Sequence, residues 1–473
     1  MHIYFLGIAG TAMGNAALLL RDLGHEVMGS DKAIYPPMSD MLSEAGIEVL
    51  MDYDAKRLQE LNPDLVVVGN AFSRGNVEVE FLLEKRSIPY ASLPETLHRF
   101  VLSKRKNIVV TGTHGKTTTT AMTAYLLEVA GMSPGYLIGG APIDPPAGWS
   151  NGSPEGPFVI EGDEYDSAFF DKRSKFIHYA PNVVILNNLE FDHADIFRDL
   201  EDVSRSFSHL LRIVPASGFA LINGADENAL SLLPLPWTQT LQVGTGENCD
   251  LRIHEYETTE TGSRFTFLWR GSRWQEVEWN LSGLFNARNA AMAALAAALI
   301  SGESRNPTAF NLNSLNAFRG VKLRQTIRVD LPELVVIEDF AHHPTSIEET
   351  LVTLRIRYTD THIIAAFEPR SNTSRLEIMR EPMKRALAKA DEVIIGEAKQ
   401  KPDNHVELMD TNLLANALHQ EDVTALACAS NDEAFDELIA RTSVDRKKTL
   451  VVFFTNGSFD GIIDRFVASC PGS

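Results

Sequence analysis

Asn107-Ile108-Val109-Val110-Thr111-Gly112-Thr113-His114-Gly115-Lys116-Thr117-Thr118 is the stretch that decides the fold. Its first five residues, mostly apolar and β-branched, predict a buried strand over 107–111, and the run from Lys116 predicts a helix reaching Ala130. Strand, glycine loop and helix in that order aim backbone N–H groups and a helix N-terminus at an anion, so the loop is a phosphate cradle. In such a cradle Lys116 neutralises β/γ oxygens and the Thr117 hydroxyl reaches a magnesium ion. A full GxxxxGK[ST] loop would have glycine at Val110. Here the first glycine is Gly112, which makes the loop a shortened variant.

Outward from this loop, short apolar runs alternate with helical patterns on both sides, the signature of parallel sheets built from βαβ units. Before it, strands are expected at His2–Gly7, Glu26–Ser30 and Leu65–Gly69, with a helix at Thr11–Leu23. After it come strands at Phe158–Glu161 and Val183–Asn187. The pattern restarts near Gly320 with strands at Leu334–Asp339, His362–Phe367, Glu392–Gly396 and Thr449–Thr455. The expected fold class is α/β in three domains: a Rossmann-like domain over 1–106, a P-loop-type central domain with a mainly parallel sheet over 107–320, and a Rossmann-like domain over 321–473. Ile143–Pro157, rich in Pro, Gly and Ser, reads as a surface loop.

Composition narrows the function classes. The 473 residues are 44% hydrophobic and 22% charged, an ordinary globular balance. A net charge of −20, with no basic stripe interleaved with aromatics, argues against a nucleic-acid partner. Cys249, Cys428 and Cys470 are too scattered for a disulfide framework or a CxxC metal pair, which suits a reducing, cytoplasmic compartment. The apolar start lacks a basic leader and runs into a glycine turn, so it reads as a first strand and not a signal peptide. The most apolar run, Ala290–Ile300, is too short to span a bilayer and predicts a buried helix; no membrane segment is expected.

Two further segments bear chemistry. In Val159-Ile160-Glu161-Gly162-Asp163-Glu164-Tyr165-Asp166, Glu161 closes a strand beside the phosphate loop, where a parallel sheet presents a magnesium ligand. Asp163 or Glu164 reads as part of a solvated acidic turn. Asn187-Asn188-Leu189-Glu190-Phe191-Asp192-His193 ends another strand at the same edge, so His193 is a candidate to join a metal or orient phosphate. A second glycine turn, Gly7-Ile8-Ala9-Gly10-Thr11-Ala12-Met13-Gly14, with Ser30-Asp31 ending the next strand, suits a diphosphate and a ribose. Its spacing departs from GxGxxG. A nicotinamide dehydrogenase is one reading of that turn, but it leaves the loop at Lys116 without a role.

The ordered set of Thr111–Thr118, the Glu161 segment, Asp192-His193, Gly283-x-x-Asn286-x-x-Asn289, Arg324 and Asp339-Phe340-Ala341-His342-His343-Pro344 resembles the Mur ligase family over nearly the whole chain. The resemblance implies an ATP-dependent, Mg²⁺-assisted enzyme that couples a carboxylate to an amine through an acyl phosphate. Its three domains would bind a UDP-sugar, ATP and the incoming amine. Tyr35–Met38, Phe169–Phe176, Ile185–Asp195 and Glu368–Thr373 are most similar to the branch that joins UDP-N-acetylmuramate to L-alanyl-γ-D-glutamyl-meso-diaminopimelate in peptidoglycan recycling. The branch that adds free L-alanine to the same sugar nucleotide is the alternative.

Carried onto this sequence, the resemblance implies catalytic roles for Lys116, Glu161, His193 and Arg324. ATP would be bound by Gly112, Thr113, His114, Gly115, Lys116, Thr117, Thr118, Asn286, Asn289, Arg324 and Asp339, and the metal by Thr117, Glu161 and His193. The UDP-sugar falls to Gly7, Gly10, Thr11, Gly14, Ser30, Asp31, Asn70 and Arg74, and the peptide to His343, Arg370, Ser371, Asn372 and Thr373. Arg370, after a strand, suits a bidentate carboxylate contact. Phe285 stands where relatives commonly have histidine. No lysine occurs from Ile177 to Val321, which excludes the carbamylated lysine of several relatives from that stretch. A P-loop switch or motor would not need sugar-nucleotide recognition in residues 1–106, and a non-catalytic UDP-sugar sensor would survive Lys116→Ala.

Overall fold

The computed structural model describes residues 1–399, 407–442 and 448–470. They form three large sheets and a two-stranded antiparallel ribbon, Asp166–Ala168 with Asp171–Ser174. The first is five-stranded and parallel, in the order Glu48–Met51, Glu26–Asp31, His2–Leu6, Leu65–Val68, Tyr90–Ser92. The strand order reverses beside His2–Leu6, and the turn at Gly7 opens at that switch point. Gly7 has φ +89°, and a Cβ there would lie 2.3 Å from the Phe72 ring. Gly24 has nearly the same φ, +86°, with nothing within 4 Å. Gly7→Ala is therefore expected to lower stability by about 2 kcal/mol and Gly24→Ala by about 1 kcal/mol. Urea unfolding of the two variants separates the ring clash from the backbone strain.

The central sheet has ten strands, and Asn107–Thr111 lies between Pro181–Leu186 and Phe158–Glu161, all parallel. The chain leaves Asn107–Thr111 toward one edge and returns on the other side, so the glycine loop again sits at a switch point. In helix Leu284–Ile300 the apolar run Ala290–Ile300 is buried all round in the central core with helix Lys116–Val129, while the polar first turns face the cavity. Among the described residues no helix is long and apolar enough to cross a membrane.

The central sheet is mainly parallel, as expected: Leu251–Thr258 runs parallel to Gln239–Gly244, and Ser263–Trp269 and Ser272–Trp279 then add antiparallel strands at that edge. Inward-facing Ile253, Phe265, Phe267, Val277 and Trp279 are buried, so a period-2 signal was present in the sequence. Ile143–Pro157 is not simply a surface loop. Trp149–Ser150 pairs with Gly135–Leu137, Arg319 holds buried Asp144, and the Asn151 amide donates to Leu19 O at 2.9 Å and Asp22 Oδ2 at 2.7 Å. The segment thus joins the first sheet's helix to the central sheet.

The third sheet runs Thr326–Asp330, Leu334–Asp339, Thr449–Phe454, His362–Phe367, Glu392–Ile395, Thr424–Ala427, parallel except for its first strand. Its carboxyl ends carry the Asp339–His343 and Arg370–Thr373 segments toward the central glycine loop.

Candidate active site

The glycine loop is braced from the segment following Pro181–Leu186. Asn188 Oδ1 accepts from His114 N at 2.7 Å, and Glu190 N donates to Thr113 Oγ1 at 2.9 Å. At Gly115, φ +79°, a Cβ would stand 2.6 Å from Asn289 Oδ1, so this glycine is required by both conformation and contact. Helix Lys116–Val129 then begins with its N-terminus open to the cavity.

That cavity lies between the central and C-terminal domains. It gathers Thr113, His114, Gly115, Lys116, Thr117, Thr118, Asn286, Asn289, Arg324 and Asp339 on one wall or another, together with Phe285. Of the expected nucleotide residues only Gly112 is not on its lining. The Arg324 guanidinium lies 4.8 Å from the Phe340 ring centroid; burial lowers its pKa, opposed by the Asp339 and Glu161 charges. Asp339 accepts from Gln325 N at 2.9 Å and Ala341 N at 2.7 Å, so it also fixes the wall it belongs to.

Lys116 Nζ donates to Gly112 O at 2.6 Å and to Glu164 Oε2 at 2.9 Å. Glu164, only 3% exposed, also contacts His193 Nε2 at 3.0 Å. The solvated-turn reading of Asp163 or Glu164 is therefore wrong: the turn folds inward, Lys175 pairs with Asp163 at 2.6 Å, and Glu164 is the counter-ion of the loop lysine. Burial opposes charge on Lys116, but Glu164 and Asp163 outweigh it and hold the ammonium above its ordinary pKa. Burial also opposes the Glu164 carboxylate, and Lys116 and His193 win there too, holding it below its usual range.

Of the three expected metal ligands, Thr117 and Glu161 come together, with Thr117 Oγ1 donating to Glu161 Oε2 at 3.2 Å, while His193 is turned to Glu164. The Gly139 N–H donates to the other Glu161 oxygen at 2.6 Å. Burial pushes this carboxyl up, and among the described residues no lysine or arginine pairs with it.

A second cleft adjoins the first and shares His342 with it. Arg370, Ser371, Asn372 and Thr373 line it with Tyr165, Asp192, His193 and Asn456. Asn372 Nδ2 donates to Asp195 Oδ2 at 2.8 Å, and Ala194 N donates to Thr373 Oγ1 at 3.1 Å, so the loop is docked on the central domain. The expected His343 is not part of this lining. It is 7% exposed, with its ring 4.4 Å from that of His114, because as N-cap residue of helix Pro344–Arg357 its side chain turns toward the glycine loop while His342 faces the cleft. Burial and nearby His114 drop the His343 pKa to about 4. Its neutral form thus contributes stability above pH 6.5 that is lost as pH falls toward 4. A Tm series in metal-free buffer should show a wild-type decline across that window that His343→Gln lacks in part.

In the first domain Asp31 Oδ2 accepts from Ala9 N at 2.9 Å, shaping the glycine turn that holds Gly7, Gly10 and Thr11. Two expected sugar-nucleotide residues are corrected. Ser30 is 0% exposed with its hydroxyl donated to Glu78 Oε2 at 2.8 Å, and a Cβ on Gly14 would lie 2.2 Å from Met38 Sδ. Both are packing positions. Arg74 makes a two-pronged pair with Glu80 at 2.9 Å for each contact, and Asn70 is exposed. Residues the sequence reading did not single out are Glu164 as a partner of Lys116, Tyr165, His342 and Asn456. Only the adjacency of Tyr165 to the Glu161 segment and of His342 to His343 hinted at them.

Such a glycine loop, with its carboxylates and a C-terminal domain closing over it, defines a nucleotide-dependent ligase, and the sequence matches agree. Residues 2–105 match the Mur ligase family catalytic domain, 110–298 the Mur ligase middle domain, and 324–457 the Mur ligase glutamate ligase domain. The chain belongs to the Mur ligase family, ATP-dependent enzymes that form amide bonds. More particularly, it is 42% identical to the UDP-N-acetylmuramate–L-alanyl-γ-D-glutamyl-meso-2,6-diaminoheptandioate ligase of Escherichia coli (strain K12), over 98% of this chain and 96% of that one. The crystal structure of a murein peptide ligase from Psychrobacter arcticus 273-4 superposes with a TM-score of 0.71 at 36% identity, covering all of both chains. The UDP-N-acetylmuramate–L-alanine ligase of Desulfitobacterium hafniense is 31% identical over 92% of each chain.

Proposed function

We propose that this chain joins UDP-N-acetylmuramate to L-alanyl-γ-D-glutamyl-meso-diaminopimelate in the cytoplasm, returning a recovered peptide to peptidoglycan synthesis. The observation that carries the choice of peptide over free L-alanine is the end-to-end match at 42% identity to the E. coli enzyme, against 31% to the D. hafniense L-alanine ligase. Two adjoining cavities that meet at His342 support the reaction type, because one must hold ATP while the other admits the amine.

The lactyl carboxylate of the sugar nucleotide attacks the γ-phosphorus of ATP, ADP leaves, and an acyl phosphate results. Lys116, at the N-terminus of its helix, and Arg324 across the cavity stabilise negative charge in that step. The peptide's alanyl amine then adds to the acyl carbon, and the tetrahedral intermediate expels phosphate to leave an amide. His342 donates from Nδ1 to Phe340 O at 2.9 Å, and burial lowers its pKa, which favours the neutral ring whose other nitrogen accepts a proton from the incoming ammonium. Arg370, with Ser371, Asn372 and Thr373, binds a peptide carboxylate. Closure of the C-terminal domain keeps water from the acyl phosphate. The turn at Gly7, Gly10, Thr11 and Asp31 receives the uridine diphosphate, with Asn70 and Arg74 at its rim.

Thr117 and Glu161 suit magnesium. Their oxygens stand 3.2 Å apart, near the roughly 3 Å edge of an octahedron with 2.1 Å bonds, and among the described residues no lysine or arginine forms an ion pair with the carboxylate, although the Lys116 and Arg324 charges reach it. When bound, the ion draws charge from the phosphate oxygens. His193 is held by Glu164, the partner of Lys116.

ADP release with Mg-ATP and UDP-N-acetylmuramate, comparing tripeptide with L-alanine and weighing the product by mass spectrometry, tests the assignment. Tripeptide-dependent turnover to an amide is expected. Turnover with L-alanine alone would move the chain to the other branch, and ADP release independent of either amine would remove the ligase reading.

A further inference from the structure

Apart from the Thr117–Glu161 pair, His114, Glu190 and His343 each offer one donor atom, and the three donors lie within 4.8 Å of one another. His343 Nδ1 is 3.3 Å from Glu190 Oε2, and His114 Nε2 is 3.6 Å from Glu190 Oε1. Neither nitrogen makes a hydrogen bond, although both atoms are buried. Unmade hydrogen bonds at two buried ring nitrogens, both beside a carboxylate, are costly unless something else occupies their lone pairs.

The tautomer of His343 is fixed by its surroundings. Its Nε2 faces the Phe191 carbonyl at 3.3 Å and must donate there, which leaves Nδ1 as a bare lone pair directed at Glu190. A ring N–H held by a backbone carbonyl is the usual outer support of a metal-binding histidine. Glu190 is positioned in turn by the Thr345 hydroxyl at 2.5 Å. For bonds of 2.0–2.1 Å, the edge of a tetrahedral zinc site is about 3.4 Å, the scale of both nitrogen–oxygen separations.

We propose that His114, Glu190 and His343 form a binding site for a divalent transition-metal ion of the zinc class. Two imidazoles and one carboxylate match that class, whereas magnesium prefers the all-oxygen Thr117–Glu161 pair. His114 also lines the nucleotide cavity, so a fourth position is open to water or a phosphate oxygen. The ligands come from the glycine loop, the segment after Pro181–Leu186, and the first turn of a C-terminal-domain helix. An ion there ties the C-terminal domain to the glycine loop, and zinc-class ions are expected to slow turnover in excess magnesium.

The test uses the full chain, free of nucleotide, in excess Mg²⁺. Co²⁺ is titrated by visible absorption and Zn²⁺ by competition with a chromogenic chelator. The expected result is one ion per chain, with tetrahedral cobalt bands and no thiolate charge transfer. Affinity should fall about tenfold or more in both His343→Asn and Glu190→Gln. Absence of stoichiometric binding, thiolate bands, or affinity unchanged in both variants would overturn the site. If one variant fails to fold the other decides, and His193→Asn, which removes a donor of the separate Asp163–Glu164–His193 group, should leave the affinity unchanged.

Discussion

Lys116→Met is expected to lower kcat for ADP formation about a thousandfold, equivalent to about 4 kcal/mol of transition-state stabilisation. The same substitution has a second consequence, because Lys116 is the nearest cation to Glu164, which is 3% exposed. Removing it leaves that carboxylate with His193 as its remaining basic partner, and a broken buried pair typically costs about 3 kcal/mol. Activity and stability therefore fall together in the single variant. They separate in Lys116→Met/Glu164→Gln, where the neutral amide no longer needs a counter-ion. Thermal stability should recover most of the loss while kcat stays low. Steady-state ADP release and Tm for the two variants check this, and a single variant that keeps a tenth of its rate would remove Lys116 from phosphate chemistry.

Glu161→Gln is expected to raise the Mg²⁺ concentration needed for half-maximal activity about a hundredfold and to lower kcat at saturating Mg²⁺ by a similar factor, about 3 kcal/mol. The amide keeps the side-chain volume, its oxygen can accept from the Gly139 N–H, and its NH2 can donate to the Thr117 hydroxyl oxygen. It loses the charge. Because burial already opposes the ionised form of Glu161, the neutral variant should fold at least as well as the wild type, so lost activity cannot be assigned to unfolding. Magnesium titrations of activity, with Tm measured alongside, test both halves. An unchanged magnesium requirement would take Glu161 out of metal binding.

Much of the fold was legible because local pattern reports burial directly. Asn107–Thr111 and Leu334–Asp339 begin and end where their apolar runs do, and Ala290–Ile300 lies within a buried helix. The antiparallel strands from Leu251 to Trp279 escaped because alternation read without a partner strand is a weak signal, and their pairing extends a sheet begun more than a hundred residues earlier.

The candidate site divides along the same line. Local order by itself placed a glycine loop between strand and helix, with Lys116 and Thr117 at the helix start and Glu161 at a strand end, since each depends only on neighbours in the chain. What lies opposite each of them was decided by sheet order. Placing Phe158–Glu161 and Pro181–Leu186 on either side of Asn107–Thr111 brings Glu164 to Lys116 across 48 residues and Asn188 to the His114 backbone across 74. The choice between His342 and His343 depended on how one helix N-terminus docks against another domain. Ser30 and Gly14 were read as ligand-facing from a motif, yet Glu78 and Met38, distant in the chain, claim them. Sequence carries the period of a strand or helix because that period is fixed by backbone geometry; it does not carry the identity of the surface across the gap, which long-range packing alone determines.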